Sequence, residues 1–170
     1  MHIFLTGERG AGKSLAVRRA AVLLHRPCFG FVTCFREENH RASGLYLLPA
    51  AEPDLTDEAH LAAEWRDGRL TPLPGRFDTL GAALLREARM HPDGLILMDE
   101  CGHLEKNAEV FQREILRCLD GDIPVLGALR KGQNWHGFIR KHPKVKIITV
   151  TPENRDALPA AIVEALGRTT

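Results

Sequence analysis

The chain has few aromatic residues, a net charge close to zero and no long apolar run. Each of these features argues against a class of protein. Aromatic residues make up 6% of the 170 residues, too few to suggest platforms on which nucleic-acid bases stack. The formal net charge is +1, so bulk charge provides no affinity for nucleic acid or for an anionic membrane. No apolar run reaches the roughly 18 residues that a membrane-spanning helix requires. The composition therefore argues against nucleic acid and membranes as partners.

Cysteine is also sparse, and no two cysteines have the CxxC spacing of a metal or redox motif. The cysteines are Cys28, Cys34, Cys101 and Cys118, and we expect reduced thiols rather than a metal site. A signal peptide is not expected, because the first predicted strand begins at residue 2. We therefore expect a cytoplasmic protein, and its 170 residues suit a single domain.

The stretch GERGAGKS fits the phosphate-binding P-loop pattern GxxxxGK(S/T). It lies between a short apolar strand and a helix predicted over residues 15–25, which is the context that the pattern requires. Backbone N–H groups of such a loop wrap a phosphate, and the helix N-terminus adds partial positive charge. We expect Lys13, as an exposed loop lysine, to reach the β- and γ-phosphates, and the Ser14 hydroxyl to ligate Mg²⁺. The residues predicted to bind nucleotide here are Gly7, Glu8, Arg9, Gly10, Ala11, Gly12, Lys13, Ser14 and Leu15.

A second motif is an apolar strand, residues 95–98, that ends in the acids Asp99 and Glu100. In a chain that carries a P-loop, this pattern is typical of a Walker B site, where Asp99 would hold Mg²⁺ opposite Ser14. A carboxylate beside the metal-binding aspartate can orient and deprotonate the water that attacks the γ-phosphate. The pair therefore predicts that Glu100 is a catalytic residue.

Several basic residues allow two interpretations. Arg130 ends a strand that many P-loop ATPases place between the P-loop and Walker B strands. In that position it would face the γ-phosphate and neutralise transition-state charge, and the alternative is a solvated basic edge. His103 would couple nucleotide state to the next helix, although an ordinary surface or core histidine is the preferred interpretation. A solvated face or a phosphate lid are the alternatives for the remaining basic residues: Arg36, Arg41, Arg140, Lys141 and Lys144.

Strand and helix patterns alternate along the chain, which predicts an α/β fold with a mostly parallel sheet sandwiched by helices. Further helices are predicted over residues 77–90, from a cap at Asn107 to residue 119, and from near Asp156 with Pro159 in the first turn. Residues 36–76 are interpreted as a variable insertion, with a charged turn over 36–43, a return hairpin strand over 44–48 and a short helix over 56–65. Strands are predicted over residues 1–6, 28–35, 95–98, 123–129 and 145–150.

These motifs together resemble those of the small THEP1-type nucleoside-triphosphatases. The family pattern DEIGxME, followed by phenylalanine, is similar to the run from Asp99 to Glu105 with Phe111 after it. A strand that ends in a basic pair is matched at Arg130 and Lys131, and a Thr-x-x-Asn-Arg-Asp loop is matched over residues 151–156. The chain departs from the family where Leu15 follows Ser14, where Arg9 replaces a proline, and where Cys34 replaces a glutamate.

The resemblance implies a RecA-like sheet and Mg²⁺-dependent hydrolysis of ATP, GTP and related triphosphates. It also implies that the loop after the last strand lies near the base, which makes Asn154 and Arg155 candidate base-side residues. Two alternatives stay open. One is a nucleotide kinase, in which residues 36–76 hold an acceptor and residues 130–144 form a lid, and the other is a nucleotide-dependent switch with slow hydrolysis. Glu100 beside the metal-binding aspartate favours hydrolysis.

Discrimination between bases should be weak, because the only base-side candidates lie between Thr151 and Arg155 and no Asp-based guanine motif such as NKxD is present. We expect kcat/KM for ATP and GTP to agree within roughly a hundredfold, the range that one or two modest contacts produce. Steady-state phosphate release with each triphosphate measures this ratio. A larger preference would reveal a dedicated base pocket.

Overall fold

The computed structural model describes residues 1–36, 44–55 and 57–167, and eight strands from these ranges form one sheet. Their order across the sheet is β5-β4-β3-β2-β6-β7-β1-β8. The strands are β1 (His2–Thr6), β2 (Cys28–Arg36), β3 (Gly44–Pro49), β4 (Leu61–Arg66), β5 (Arg69–Pro72), β6 (Leu95–Cys101), β7 (Val125–Leu129) and β8 (Val145–Thr149). The helices are α1 (Lys13–Leu24), α2 (Ala82–Ala88), α3 (Glu109–Asp120), α4 (Gly137–Arg140) and α5 (Leu158–Gly167). None of the helices in these ranges is long and apolar enough to cross a bilayer.

Five neighbouring strands, β2, β6, β7, β1 and β8, run parallel, whereas β3, β4 and β5 add an antiparallel edge. The predicted mostly parallel α/β sheet is therefore confirmed. The strand that leads to Arg130 is β7, and it lies between β1 and β6 as predicted. Because carboxyl ends of parallel strands meet at one edge of a sheet, this order brings the ends of β1, β6 and β7 together.

Helices cover both faces of the parallel strands, and β6 shows how the sequence achieves this. Ile96 and Met98 point into the core that contains Phe111 of α3, whereas Leu95 and Leu97 point into the core shared with α1 and α5. Successive side chains of a strand alternate between faces, so a strand covered on both sides needs a continuous apolar run. The buried run of β6 meets that requirement.

The helix predicted over residues 56–65 is wrong. Thr56 lies outside the described residues, Glu58–His60 is one 3₁₀ turn, and Leu61–Arg66 is strand β4. β4 pairs with β3 and with β5, and its first three residues are buried against this sheet. Tertiary pairing thus overrides the helical preference of a Leu-Ala-Ala-Glu segment. Asp67 and Gly68, both at positive φ, form the hairpin turn, a signal that the sequence carries.

The charged turn predicted over residues 36–43 lies, apart from Arg36, outside the described residues. The hairpin strand predicted to follow it is confirmed as β3. The last helix begins at Leu158 with Pro159 in its first turn, close to its predicted start.

The start of α3 is held by a residue from another element. The predicted cap at Asn107 is wrong, because Ala108 occupies the cap position and makes no side-chain cap hydrogen bond. Instead, the Phe111 N–H donates to Asp78 Oδ1 at 2.9 Å. Asp78 belongs to the π-helical turn Phe77–Gly81, which leads into α2. An acceptor 33 residues earlier in the chain therefore satisfies an N–H at the start of α3.

Asp78→Ala should lower the free energy of unfolding by about 1 kcal/mol, the usual contribution of a side chain that accepts from a helix N-terminal amide. Asp78→Asn is the matched control, since its amide oxygen accepts the same hydrogen bond. Urea denaturation followed by circular dichroism measures both. Equal losses in the two variants would show that the charge, and not the hydrogen bond, is responsible.

Candidate active site

The loop between β1 and α1 has the backbone that its glycines permit. Gly10 and Gly12 have φ of 78° and 100°, in the left-handed region that other residues rarely adopt. Gly12 caps α1, no side chain bonds to this helix end, and no acidic residue lies in the first turn. Because neither a side-chain cap nor an acidic residue of the first turn offsets the partial positive charge of this helix end, the end of α1 favours binding of phosphate.

Lys13 is buried, which corrects the sequence-based expectation of an exposed loop lysine. Its side chain lies across the loop, where Nζ donates to the Gly7 carbonyl at 3.2 Å and to the Glu8 carbonyl at 2.9 Å. Only 8% of Lys13, the first residue of α1, is exposed, because its side chain packs against the loop rather than extending into solvent. The two carbonyls fix the ammonium group against the phosphate-binding loop.

Ser14 and Asp99 meet as the two motifs predict. The Ser14 hydroxyl donates to Asp99 Oδ1 at 2.8 Å, although the residues are 85 positions apart. Asp99 is 6% exposed. Burial raises the pKa of its carboxyl, and the hydrogen bond from Ser14 lowers it. A hydroxyl and a carboxylate are hard oxygen donors of the kind that Mg²⁺ prefers, so this pair fits that ion with water as the remaining ligands.

Thr33 on β2 holds the peptide between Asp99 and Glu100, a role that the sequence-based prediction missed. Its hydroxyl donates to the Asp99 carbonyl at 3.3 Å and accepts from the Glu100 N–H at 3.2 Å. The contact exists because β2 and β6 run parallel with Val32 opposite Asp99. Only this pairing could have identified Thr33. The Glu100 side chain, predicted to be catalytic, is partly exposed beside Asp99.

Two basic residues at the end of β7 lie at the same sheet edge. Arg130 is exposed, and its Nη1 donates to His103 Nδ1 at 3.1 Å. Partial burial and the Arg130 charge lower the pKa of His103, so a neutral ring accepts this bond. Lys131 forms an ion pair with Glu8 of the glycine loop. The strand order therefore places Arg130 at the sheet edge that carries the glycine loop, and its catalytic role stays a prediction.

The other basic residues with two interpretations take different positions. Arg36 stacks over the ring of Tyr46 at 4.9 Å. The ammonium of Lys144 bonds the Asp120 carbonyl at 2.8 Å and Asp122 at 3.1 Å, at the amino end of β7 and β8. Lys144 therefore lies at the edge opposite the glycine loop, which contradicts the lid interpretation for this residue. Arg41 lies outside the described residues, and Arg140 and Lys141 are exposed.

The loop after β8 lines a pocket beside the glycine loop. The pocket has a volume of about 300 Å³, and its walls are Gly10, Gly12, Leu15, Ala16, Arg19, Arg155 and Asp156. The Asn154 side chain bonds its own loop, accepting from the Thr151 N–H at 2.9 Å and donating to the Thr149 carbonyl at 2.8 Å. Asn154 therefore shapes the loop, whereas Arg155 faces the pocket. Within the glycine loop, Arg9 is exposed and the Ala11 N–H donates to the Glu8 carbonyl.

A glycine loop at the start of α1, an acid pair at the end of β6 and the intervening strand β7 define a P-loop nucleotide-binding protein. The chain belongs to the NTPase family, whose model matches residues 2–163.

Named relatives match along nearly the whole chain. A nucleoside-triphosphatase THEP1 from Methanothermobacter thermautotrophicus is 28% identical over 98% of this chain and 97% of its own length. Another, from Methanosarcina barkeri, is 29% identical over 95% of each chain. The crystal structure of THEP1 from Aquifex aeolicus superposes with a TM-score of 0.74 at 24% identity, over 99% of this chain and 100% of that one. A human cancer-related nucleoside triphosphatase gives a TM-score of 0.75 at 24% identity, over 99% and 98%. At this identity the two structures establish the fold.

Lys13→Ala should weaken triphosphate binding by about 10- to 100-fold, since a hydrogen bond to a charged group contributes about 1.5–3 kcal/mol. Titration with a fluorescent triphosphate analogue measures the affinity, and Lys106→Ala, at an exposed lysine, is the control. Some loss of stability is also expected, because two loop carbonyls lose their donor. Unchanged affinity in a folded Lys13→Ala variant would contradict the phosphate-binding role of this loop.

Proposed function

We propose that the chain is a Mg²⁺-dependent nucleoside-triphosphatase that cleaves the bond between the β- and γ-phosphates, releasing nucleoside diphosphate and orthophosphate. The observation that carries the proposal is the 2.8 Å contact between Ser14 and Asp99, with Glu100 next along β6. The family and the full-length THEP1 relatives support the same activity.

The glycine loop and Lys13 bind the phosphate chain. The N-terminus of α1 and the buried ammonium group provide positive charge along one side of it. Ser14 and Asp99 are the residues that would hold Mg²⁺ on the other side. When bound there, Mg²⁺ neutralises negative charge on the β- and γ-phosphates.

Glu100 is the proposed general base. Its carboxylate takes a proton from a water molecule as the water oxygen bonds to the γ-phosphorus and the bond from that phosphorus to the bridging oxygen breaks. The diphosphate leaves with the electron pair of that bond. Thr33 supports the step, because its two hydrogen bonds fix the peptide from which Glu100 projects.

Arg130 is the proposed source of positive charge for the transition state. In the structure it is bonded to the neutral ring of His103, which competes weakly with a phosphate for a guanidinium group. Because the side chain is exposed at the sheet edge that carries the glycine loop, it is free to turn toward a γ-phosphate. A contact between Arg130 and the γ-phosphate that strengthens as negative charge develops in the transition state would raise kcat rather than lower KM.

The nucleoside fits the 300 Å³ pocket beside Leu15 and Arg155. Arg155 offers a planar cation that stacks on any base, which accords with broad base specificity. Hydrolysis is preferred over transfer to an acceptor because Glu100 adjoins the metal-binding aspartate and because Lys144 faces away from the phosphate site.

Release of orthophosphate from a panel of triphosphates, with and without Mg²⁺ and without an acceptor, tests the proposed function. Phosphate release from ATP and GTP that requires Mg²⁺ supports it. Turnover that appears only when a nucleoside or nucleotide acceptor is added would favour a kinase instead.

Glu100→Gln should reduce kcat by about 10²- to 10⁴-fold, the usual contribution of a general base, while triphosphate affinity is kept. The amide keeps the shape of the side chain but does not take a proton from water. Single-turnover hydrolysis and equilibrium binding measure the two quantities, and Glu109→Gln, at an exposed carboxylate, is the control. Hydrolysis at the wild-type rate would exclude Glu100 as the base. Loss of binding would place Glu100 among the metal ligands instead.

A further inference from the structure

Gly102, two residues after Glu100, has both its backbone N–H and its backbone carbonyl bonded to side chains. The Gly102 N–H donates to the carboxyl of Glu105. The Gly102 carbonyl accepts from Trp135 Nε1 at 2.9 Å. Thr33 already holds the peptide in front of Glu100, so the chain is fixed before and after this residue.

Burial and backbone hydrogen bonds hold Glu105, the residue that accepts from the Gly102 N–H, in a defined position. It is 3% exposed. Its carbonyl accepts from the Ala108 N–H at 3.0 Å and from Gln112 Nε2 at 3.0 Å, which ties it to the start of α3. A carboxyl that is removed from water costs free energy unless it is well bonded. The proposed reaction assigns no step to Glu105, so the presence of a buried carboxyl at this position requires another explanation.

We propose that Glu105 is a positioning residue for Glu100: it holds the Gly102 N–H, in the peptide between Cys101 and Gly102, and with it the backbone that carries the catalytic carboxylate. The proposal rests on the proposed function, because it presumes that Glu100 is the general base. Trp135, from the segment after β7, restrains the next peptide through the Gly102 carbonyl.

The charge of Glu105 is expected to change near neutral pH. Burial raises its pKa to about 7, while the bond from Gly102 opposes this shift. Of the charged groups around it, Glu100 on β6 raises the pKa and Arg130 after β7 lowers it, and Cys101 is buried close by. Above this pH the carboxylate is the stronger acceptor, so the bond to Gly102 strengthens as pH rises.

The Gly102 amide reports this contact without any nucleotide. In ¹H–¹⁵N spectra of the full chain, we expect its amide proton to move downfield between pH 5 and 9 with a midpoint near 7. Glu105→Gln keeps an oxygen acceptor but does not titrate, so the shift should vanish in that variant. A Gly102 amide that does not titrate, or that titrates equally in Glu105→Gln, would overturn the contact.

Kinetics then separate positioning from chemistry. Glu105→Ala should lower kcat about tenfold or more, because small displacements of a reacting group are costly. The Kd for a non-hydrolysable triphosphate should change less than about threefold, since the groups that bind phosphate are untouched. Glu105→Gln should restore most of kcat, and Glu109→Ala, at an exposed acid of the same segment, is the control.

Trp135→Phe provides an independent variant should Glu105→Ala fail to fold. Because both side chains hold the backbone of one residue, Gly102, the losses in kcat from Trp135→Phe and from Glu105→Ala should not add in the double variant. Additive losses in kcat would overturn the positioning role. A Glu105→Gln variant that binds triphosphate but is as inactive as Glu105→Ala would also overturn it, and would make Glu105 itself the base. If the wild-type chain does not release phosphate, the proposed function fails and the catalytic role of Glu105 fails with it, while the Gly102 titration still decides the contact.

Discussion

The Ser14 hydroxyl and the Asp99 carboxylate lie 2.8 Å apart, and this meeting requires most of the sheet to be in place. Ser14 is on α1, directly after β1, whereas Asp99 is near the end of β6, and β7 separates the two strands. Parallel pairing of β1 with β7 and of β7 with β6 brings the three carboxyl ends to one edge. The apolar cores on the two faces of the sheet stabilise that pairing, so burial of apolar residues positions the polar site.

Two buried acids show how differently charge is treated in this fold. Glu114 on α3 is 1% exposed, and it is paired with arginines, among them Arg117 at 2.7 Å and Arg86 at 3.3 Å. Asp99 is also buried, but its side chain accepts a hydrogen bond from the Ser14 hydroxyl, which carries no charge. Burial therefore raises the pKa of Asp99, and a cation at this position would relieve the cost of desolvation. The charge of Glu114 is compensated within the protein, whereas that of Asp99 is suited to a ligand.

Side chains remote in sequence determine how rigidly the acid pair is held. Thr33 bonds the peptide between Asp99 and Glu100, the carboxyl of Glu105 bonds the Gly102 N–H, and the indole of Trp135 bonds the Gly102 carbonyl. These restraints come from β2, from the segment before α3 and from the segment after β7. A general base needs a defined position as well as a suitable pKa. For Glu100, the proposed base, the surrounding elements provide that position.

The sequence by itself determined the glycine loop, the acid pair at the end of β6 and the alternation of strands and helices, because these features depend on local patterns of residues. It also carried the Asp67–Gly68 turn signal, which the helical composition of the preceding segment obscured. Tertiary structure alone decided that Asp78 would hold the start of α3, that Thr33 would lie beside Asp99, and that Lys144 would face the opposite edge. Each of these contacts depends on strand order, register or helix packing, and no local pattern encodes the distance between residues that are far apart in the chain.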